Sequence, residues 1–398
     1  MTTGSPQRVL LVVRSLQMGG VERNTVNLAN AMVEQGHEVH VLVLKERLEL
    51  KPDPRVHVHV FDIDKAHRRT GIGLLYDVLT RGILRLLIPR SSFLWRGFYG
   101  GHHFRRWLQR QEKHYGSFDR IIARGQGSFE HLWSFVDPRF FAVVVSPLAK
   151  PRGSGLEKLY TRVIYGGRHV VANSTGTLAT LVRRLETHGV EPLDLSMIPN
   201  PIPVEQIRKW SMESAPIPEQ PYLVHVARLT PQKNQELLLR AYHAASVPEL
   251  LVIVGSGREE KGLRQLAQEL GIAERVVFAG QQSNPYPWMK GAKLFVLSSR
   301  VEGFGLVMVE SLICGTPVVA VDCPGGVRDV LIEEQAQFIV ENSVEGLAKG
   351  ICQALATPIT IKPEWFLRFD ARRVAQQFLS LETTPIRGRG ASDQAGVS

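Results

Sequence analysis

Cysteine is scarce in this 398-residue chain, and the three present, Cys314, Cys323 and Cys352, cluster late without paired spacing. That excludes a disulfide framework and a cysteine-based zinc site, and it fits a reducing compartment. The opening MTTGSPQRVLLVVRSL has too short an apolar run for a signal peptide and no cleavage site. The apolar stretch Ile72–Ile88 is broken by charge and is 17 residues long, which argues against a membrane span. The dinucleotide fingerprint G-x-G-x-x-G is absent from the first glycine loop. No Asp-x-Asp metal motif is identified near a strand end, so neither a divalent metal nor a cofactor is expected. What is left is a globular chain, 44% hydrophobic and 22% charged, long enough for two domains. A cytoplasmic location is expected.

Acid is missing from one region. Between Lys65 and Arg110 there are ten Lys/Arg against a single acid, Asp77, so this segment carries +9 of the chain's net +10. A basic patch this local implies an acidic partner surface. Within it Ile72, Leu75, Tyr76, Leu79, Ile83, Leu86 and Leu87 fall on one helical stripe, and Asp77, Arg81 and Arg85 share the other face. With Trp95, Phe98, Tyr99, Phe104 and Trp107 alongside, residues 65–110 suit an anionic membrane surface, the inner face of the cytoplasmic membrane. An ordinary domain helix with a solvated face fits the same pattern. No nucleic acid partner is expected, because no binding module surrounds the stretch.

The rest of the chain alternates strand and helix. Arg8–Val13, the loop with Gly19–Gly20, a helix over Arg23–Gln35 and the strand His37–Leu44 form a βαβ unit. Val56–Phe61, Asp119–Ala123, Phe141–Val145 and His169–Asn173 continue the sheet, with Ser174 as N-cap of a helix over Thr175–Thr187. Ser196–Pro199 closes this half, and the proline-rich run from Asn200 to Pro221 reads as the interdomain boundary. The alternation restarts with Tyr222–Val226, the helix Gln235–Ala245, Leu250–Val254, Val276–Ala279, Lys293–Ser298 and Pro317–Asp322. The fold class is therefore α/β, two Rossmann-like doubly wound domains. A last helical stretch covers Glu364–Leu381, and the tail from Thr383, rich in Gly, Ser and Pro, is expected to be disordered.

Ligands of open parallel sheets bind beyond the carboxyl ends of strands, where Arg228, Lys233, Gly255, Gly257 and Glu302 all fall. The stretch Ser299–Gly315 (SRVEGFGLVMVESLICG) joins a buried strand to a helix through Gly303 and Gly305. Such a junction lets backbone N–H groups and a helix N-terminus face phosphate. Glu302 and Glu310, eight positions apart, are carboxylates beside an anion site, which fits hydroxyl partners such as those of sugars. A helix-capping Glu302 with a solvated Glu310 fits too. Arg228 and Lys233 share one loop and supply two cations where a diphosphate leaving group would gather charge. Taken singly, each also reads as a surface charge, and Gly19–Gly20 as a plain tight turn.

The run E-G-F-G-L-x-x-x-E followed by C-G-T-P-V-V-A resembles the donor-site signature of retaining glycosyltransferases of the GT4 type. The resemblance is strong over 221–331 and looser over 8–45 and 168–203. It implies the GT-B fold, two Rossmann-like domains facing across a cleft. Residues 1–203 would form the acceptor domain, 204–364 the nucleotide-sugar donor domain, and 365–382 a helix packing back on the first domain, with 383–398 the tail. It also implies roles. Arg228 and Lys233 grip the pyrophosphate and, with Glu302, serve catalysis, Glu302 holding the donor sugar's hydroxyls. Glu310 binds the ribose, and Gly255, Gly257, Gly303, Phe304, Gly305 and Leu306 line the donor. Gly19 and Gly20, in MGGVERN, approach the donor phosphate and the acceptor. The implied reaction moves a sugar from a UDP- or GDP-linked donor to a glycan or lipid-linked acceptor, as in lipopolysaccharide or other surface polysaccharide assembly. It needs no protein nucleophile, the departing phosphate deprotonating the acceptor hydroxyl.

Two departures stand out. The histidine that many relatives carry after a first-domain strand is missing, since Ser146–Pro147–Leu148 follows Phe141–Val145 and His131 is the nearest alternative. Asn234 also stands where the usual residue is Gly. Three other functions suit the general fold: a sugar-nucleotide epimerase, for which no acid/base pair is found; a nicotinamide oxidoreductase, for which the fingerprint is missing; and a non-catalytic nucleotide-sugar-binding protein.

Overall fold

A computed structural model describes residues 5–80, 92–151 and 153–383. The second half of the apolar stripe (Ile83, Leu86, Leu87), its partners Arg81 and Arg85, and the tail beyond residue 383 lie outside the described residues.

Runs of Val, Leu and Ile without polar alternation suit strands buried on both faces. They build two all-parallel sheets. The first contains β1 (Arg8–Val13), β2 (Glu38–Val43), β3 (His57–Val60), β4 (Arg120–Arg124), β5 (Phe140–Val144), β6 (His169–Ala172) and β7 (Asp194–Met197), in the order β3-β2-β1-β4-β5-β6-β7. The second contains β8 (Tyr222–Val226), β9 (Leu250–Val254), β10 (Val276–Gly280), β11 (Leu294–Leu297), β12 (Val318–Val321) and β13 (Ile339–Val340), in the order β10-β9-β8-β11-β12-β13. In each sheet the winding reverses beside the first strand, between β1 and β4 and between β8 and β11. Loops on either side of such a reversal diverge and leave a crevice at the carboxyl ends.

The chain crosses between the domains twice, and the crossings pair. The Ile202 N–H donates to Phe369 O and the Ala371 N–H donates to Ile202 O, both at 2.9 Å. After the second crossing, the helix Ala371–Leu379 buries Val374, Ala375 and Phe378 in one cluster with Val9, Leu11, Leu28 and Met32 of the first domain.

Several expectations need correction. Of the helix expected over 72–88, the described part is the helix Gly71–Leu79, and residues 81–88 lie outside the described residues. The other described helices of the basic, aromatic region are Ile63–Arg68 and Ser92–Tyr115. Tyr99, Phe104 and Trp107 are buried against the first sheet, so among the aromatics named only Phe98, 62% exposed, is offered freely to a partner surface. The boundary run after Pro203 contains the helix Val204–Trp210, whose Val204 and Ile207 join the second domain's core. An Asp-x-Asp does follow a strand: Asp62–Ile63–Asp64 comes directly after β3 and Phe61. Its carboxylates are engaged separately, Asp62 accepting from the Lys65 N–H as a helix cap and Asp64 accepting from the Tyr99 hydroxyl.

Candidate functional site

The donor-side candidates converge beyond β8 and β11. Lys233 Nζ donates to Glu302 Oε1 at 2.6 Å, and Ser299 Oγ donates to the same oxygen at 2.5 Å. Both partners use Oε1, which leaves Oε2 of this buried carboxylate for a hydroxyl donor. The two loops are stitched by the Ser298 hydroxyl, which donates to Lys233 O at 3.0 Å, and by the Arg300 N–H, which donates to Gln232 O at 2.8 Å. Asn234 sits at φ 51°, in the left-handed region. Glycine enters that region without steric cost and asparagine is the next most tolerant residue, which accounts for the departure at this position.

Arg228 is exposed on the rim of the same loop. Its backbone is held from below. His225 is fully buried, donates from Nδ1 to Val296 O at 2.8 Å, and accepts at Nε2 from Gln235, whose amide also donates to Arg228 O at 3.0 Å. Burial depresses the His225 pKa to about 4. Gly255 and Gly257 line the neighbouring loop for a packing reason. A Cβ there would lie 2.0 Å from Ala227 O and 2.2 Å from Leu229 O, respectively, so these glycines let the two loops touch.

Phe304 is a buried anchor, its ring set edge-on to Phe369 at 5.0 Å. Gly305, at φ 85°, starts the helix Leu306–Ile313. Across the cleft, Gly20 begins the helix Gly20–Glu34, and a Cβ on it would meet Leu306 Cδ1 at 4.0 Å. The Leu306 side chain, at the start of one helix, thus reaches the start of the other across the cleft. That arrangement favours an anion.

Glu310 lies on the inner side of its helix and accepts from the Tyr286 hydroxyl at 3.3 Å. Burial pushes its pKa up, against the pull of Arg23 and of Tyr286. Arg23, from the other domain, is itself raised by Glu310. The domains also meet where Ser174 Oγ donates to Gly303 O at 2.8 Å and the Thr175 N–H donates to Asp329 Oδ2 at 2.8 Å. Ser174 caps its helix at the same time, accepting from the Thr177 N–H.

The first domain has its own cluster at its carboxyl ends. Arg14, Lys45, Asp64 and His131 line a small cavity with Leu44, Ile63 and Gly127. His131 donates from Nδ1 to Gly127 O at 3.0 Å, so its buried Nε2 is an acceptor without a protein partner among the described residues. Burial lowers its pKa. Burial and then Arg14 lower Lys45. Against burial, the Tyr99 hydroxyl, His131 and Arg96 hold Asp64 below the ordinary carboxylate range.

Family models match both halves of the chain. Residues 18–206 match Glycosyltransferase Family 4, and residues 206–364 match Glycosyl transferases group 1. The chain belongs to the GT4-type glycosyltransferases. It is 32% identical over 172 residues to the N-acetylgalactosamine-N,N'-diacetylbacillosaminyl-diphospho-undecaprenol 4-alpha-N-acetylgalactosaminyltransferase of Campylobacter jejuni, an alignment covering 43% of this chain and 46% of that one. It is 28% identical over 385 residues to the D-inositol 3-phosphate glycosyltransferase of Jonesia denitrificans, covering 90% and 88%. Its match spans less than half the length of the first curated relatives, at 46%, 28% and 40%. The fold is that of Anabaena HepE solved with UDP and glucose, at TM-score 0.64 and 19% identity, covering 94% of this chain and 98% of that one. The lipopolysaccharide outer core galactosyltransferase WaaB, in its apo form, gives 0.62 at 18% identity and the same coverage. The architecture is GT-B.

Sequence reasoning missed several residues at this GT4 cleft. Arg23 stands within the quoted MGGVERN, four residues after Gly19, and helical spacing alone places it one turn in, on the face beside the glycines. Tyr286 and Ser174 carry no such signal, because their roles depend on how the domains meet.

Proposed function

We propose that this chain transfers a sugar, with retention, from a nucleoside-diphosphate-linked donor to a glycan or lipid-linked acceptor. The observation that carries the reading is the Lys233–Glu302 pair at 2.6 Å, placed opposite the glycine-led N-terminus of the first-domain helix Gly20–Glu34. In this reading the diphosphate lies between the helix N-termini at Gly20 and Leu306, with Arg228 and Lys233 taking up the charge that develops on the leaving group. Glu302 Oε2 and Glu310 receive hydroxyls of the donor sugar and ribose. The bond from the anomeric carbon to the phosphate oxygen breaks as the bond to the acceptor oxygen forms on the same face. The acceptor proton passes to the departing phosphate, so no protein base is needed, nor a divalent metal.

The acceptor side of the proposal rests on the first domain. Arg14 and Lys45 form a cationic floor beside His131, suited to an anionic acceptor group. The helix Gly71–Leu79 exposes Leu74, Leu75, Val78 and Leu79 in the basic region, which suits a peripheral seat on an anionic bilayer. Among the described residues no helix is long and apolar enough to cross a membrane.

The test is thermal stabilisation of the protein by UDP, GDP, ADP and their common sugar conjugates, beside a Glu310→Ala variant. Binding to the native state raises apparent stability according to affinity. A shift with one nucleoside diphosphate, weakened in the variant, is expected and names the base. No shift with any sugar nucleotide at saturation would end the proposal.

A further inference from the structure

At the amino ends of the first sheet, opposite the cleft, two strands carry Glu38-Val39-His40 and His57-Val58-His59. Alternate residues of a strand share a face. The parallel register pairs His40 with His57 and Leu42 with His59, so the carboxylate and three imidazoles converge on one side of the β2–β3 edge. The rings of Tyr115 and Phe118 close over His40 at 4.6 and 5.0 Å.

The hydrogen-bond chemistry of this cluster is constrained. His40 Nδ1 lies 2.9 Å from His59 Nε2, and His40 Nε2 lies 3.0 Å from Glu38 Oε1. If His40 donates from Nδ1 to His59, its Nε2 lone pair faces a carboxylate oxygen, and two acceptors at that distance need a cation between them. A proton on Nε2 is one such cation, and a metal ion is another. Zn²⁺ takes imidazole nitrogen at about 2.0–2.1 Å and carboxylate oxygen at about 2.0–2.2 Å, which sets neighbouring ligand atoms roughly 3–3.5 Å apart. The Glu38–His40 pair already has that spacing.

A third ligand is close. His57 stacks on His40 with ring centroids 4.7 Å apart, is exposed, and makes no hydrogen bond through its ring among the described residues. One ligand atom each from Glu38, His40 and His57 lie within 4.8 Å of one another. Arg8 Nη2, at 2.7 Å from Glu38 Oε2, fixes the carboxylate by its other oxygen and leaves Oε1 turned to His40 Nε2.

We propose that Glu38, His40 and His57 bind one divalent transition-metal ion of the zinc class, with His59 orienting His40. In the metal-bound form His40 is the Nδ1–H tautomer donating to His59 Nε2, so its Nε2 lone pair and Glu38 Oε1 both face the ion; reached from the Nε2–H tautomer this moves the proton between the two nitrogens of each ring with no net release, and water fills the position on the exposed side. Metal-bound histidines are characteristically oriented by a hydrogen bond to the second ring nitrogen, which is the part His59 plays. The site lies far from the sugar-transfer cleft along the strands and would tie down the exposed edge strand β3, whose pairing is otherwise one-sided.

The experiment uses the full chain, stripped with chelator and desalted. Co²⁺ is followed by its visible absorption and Zn²⁺ by calorimetry and thermal unfolding. We expect one tight equivalent whose Co²⁺ spectrum disappears in His57→Ala, an exposed position where the fold is kept. His59→Ala is expected to weaken binding roughly 10–100-fold. His103→Ala, which breaks the separate His67–His103 contact at 3.2 Å, should change nothing. Absence of binding to the parent chain, or binding that survives His57→Ala with unchanged affinity and spectrum, would overturn the assignment.

Discussion

Lys233 Nζ lies 2.6 Å from Glu302 Oε1, so the loop after β8 is locked to the loop after β11 by two largely buried, opposite charges. Removing one partner leaves the other charged in a poorly solvated place, which costs more than the pair itself contributes. Lys233→Ala is expected to cost about 3 kcal/mol of stability, near the lower end for breaking a buried pair. Its turnover should fall on the order of 10²–10³ through the lost leaving-group cation. The double variant Lys233→Ala/Glu302→Gln should recover much of the stability and none of the turnover. Urea unfolding and a donor-turnover assay on the three proteins separate these effects.

Asn234 holds the same loop at φ 51°. Asn234→Gly should be accepted within about 1 kcal/mol, since glycine meets no steric penalty there but loses more chain entropy. Asn234→Val should cost about 1–2 kcal/mol or more, because a β-branched side chain crowds the backbone in this region. Equal unfolding midpoints for the two variants would contradict the left-handed geometry.

Much of the fold was legible because buried parallel strands announce themselves as unbroken apolar runs, as RVLLVV and LLVIV do. The helix Ser92–Tyr115 was not. Gly97, Gly100 and Gly101 lower its intrinsic helicity, yet each is required by close approach of another segment. A Cβ on Gly100 would lie 1.9 Å from His131 O, and one on Gly97 the same distance from Trp133 Cδ1. Tertiary contact overrides propensity there, and no local pattern reports it. At the site, the spacing of Arg228, Lys233, Glu302 and Glu310 was visible, but the Lys233–Glu302 bond was not. Nor was the approach of Arg23 to Glu310, which exists only when two separately folded domains meet.

That meeting is close at Gly303. A Cβ on this residue would stand 2.5 Å from Val145 O of the other domain, and Gly303 O accepts from Ser174 at 2.8 Å. Gly303→Ala should therefore hold the cleft apart while leaving each domain folded. A displacement of the order of 1 Å at the reacting groups costs about 10²-fold in rate, so kcat/KM should fall by about that factor with little change in the unfolding midpoint. Small-angle scattering should show a more open particle. An unchanged kcat/KM would mean that the contact is not kept during turnover.

His225 links stability to pH. Its folded pKa, about 4 through burial, lies below the ordinary value near 6.5, so between those values the unfolded chain binds a proton that the folded chain refuses. Stability is therefore full above pH 6.5 and falls as the pH drops towards 4, by up to about 3 kcal/mol from this group. Protonation also removes the acceptor that orders Gln235, which holds Arg228 O. Urea midpoints between pH 5 and 8 should slope less in His225→Gln than in the parent chain. An identical slope would assign the acid sensitivity to other histidines, such as the half-buried His59.

The helix Gly71–Leu79 presents Leu75 at 62% and Val78 at 63% exposure, an unusual outlay of apolar surface inside a basic region. Burying one such side chain contributes about 1.5–3 kcal/mol, and each nearby cation adds about 1 kcal/mol at an anionic bilayer. Leu75→Asp/Val78→Asp loses both apolar anchors and adds two charges that the anionic surface repels. Its partition onto vesicles containing phosphatidylserine or phosphatidylglycerol should drop at least about 10²-fold, the equivalent of one buried side chain per substitution. Turnover with a soluble acceptor should be unaffected, because neither residue lines the cleft. Binding of the parent chain should also weaken with added salt, as screening shortens the reach of its cations. A double variant that sediments with vesicles as well as the parent would separate the exposed helix from any membrane role, and the basic charge alone would then have to explain the binding.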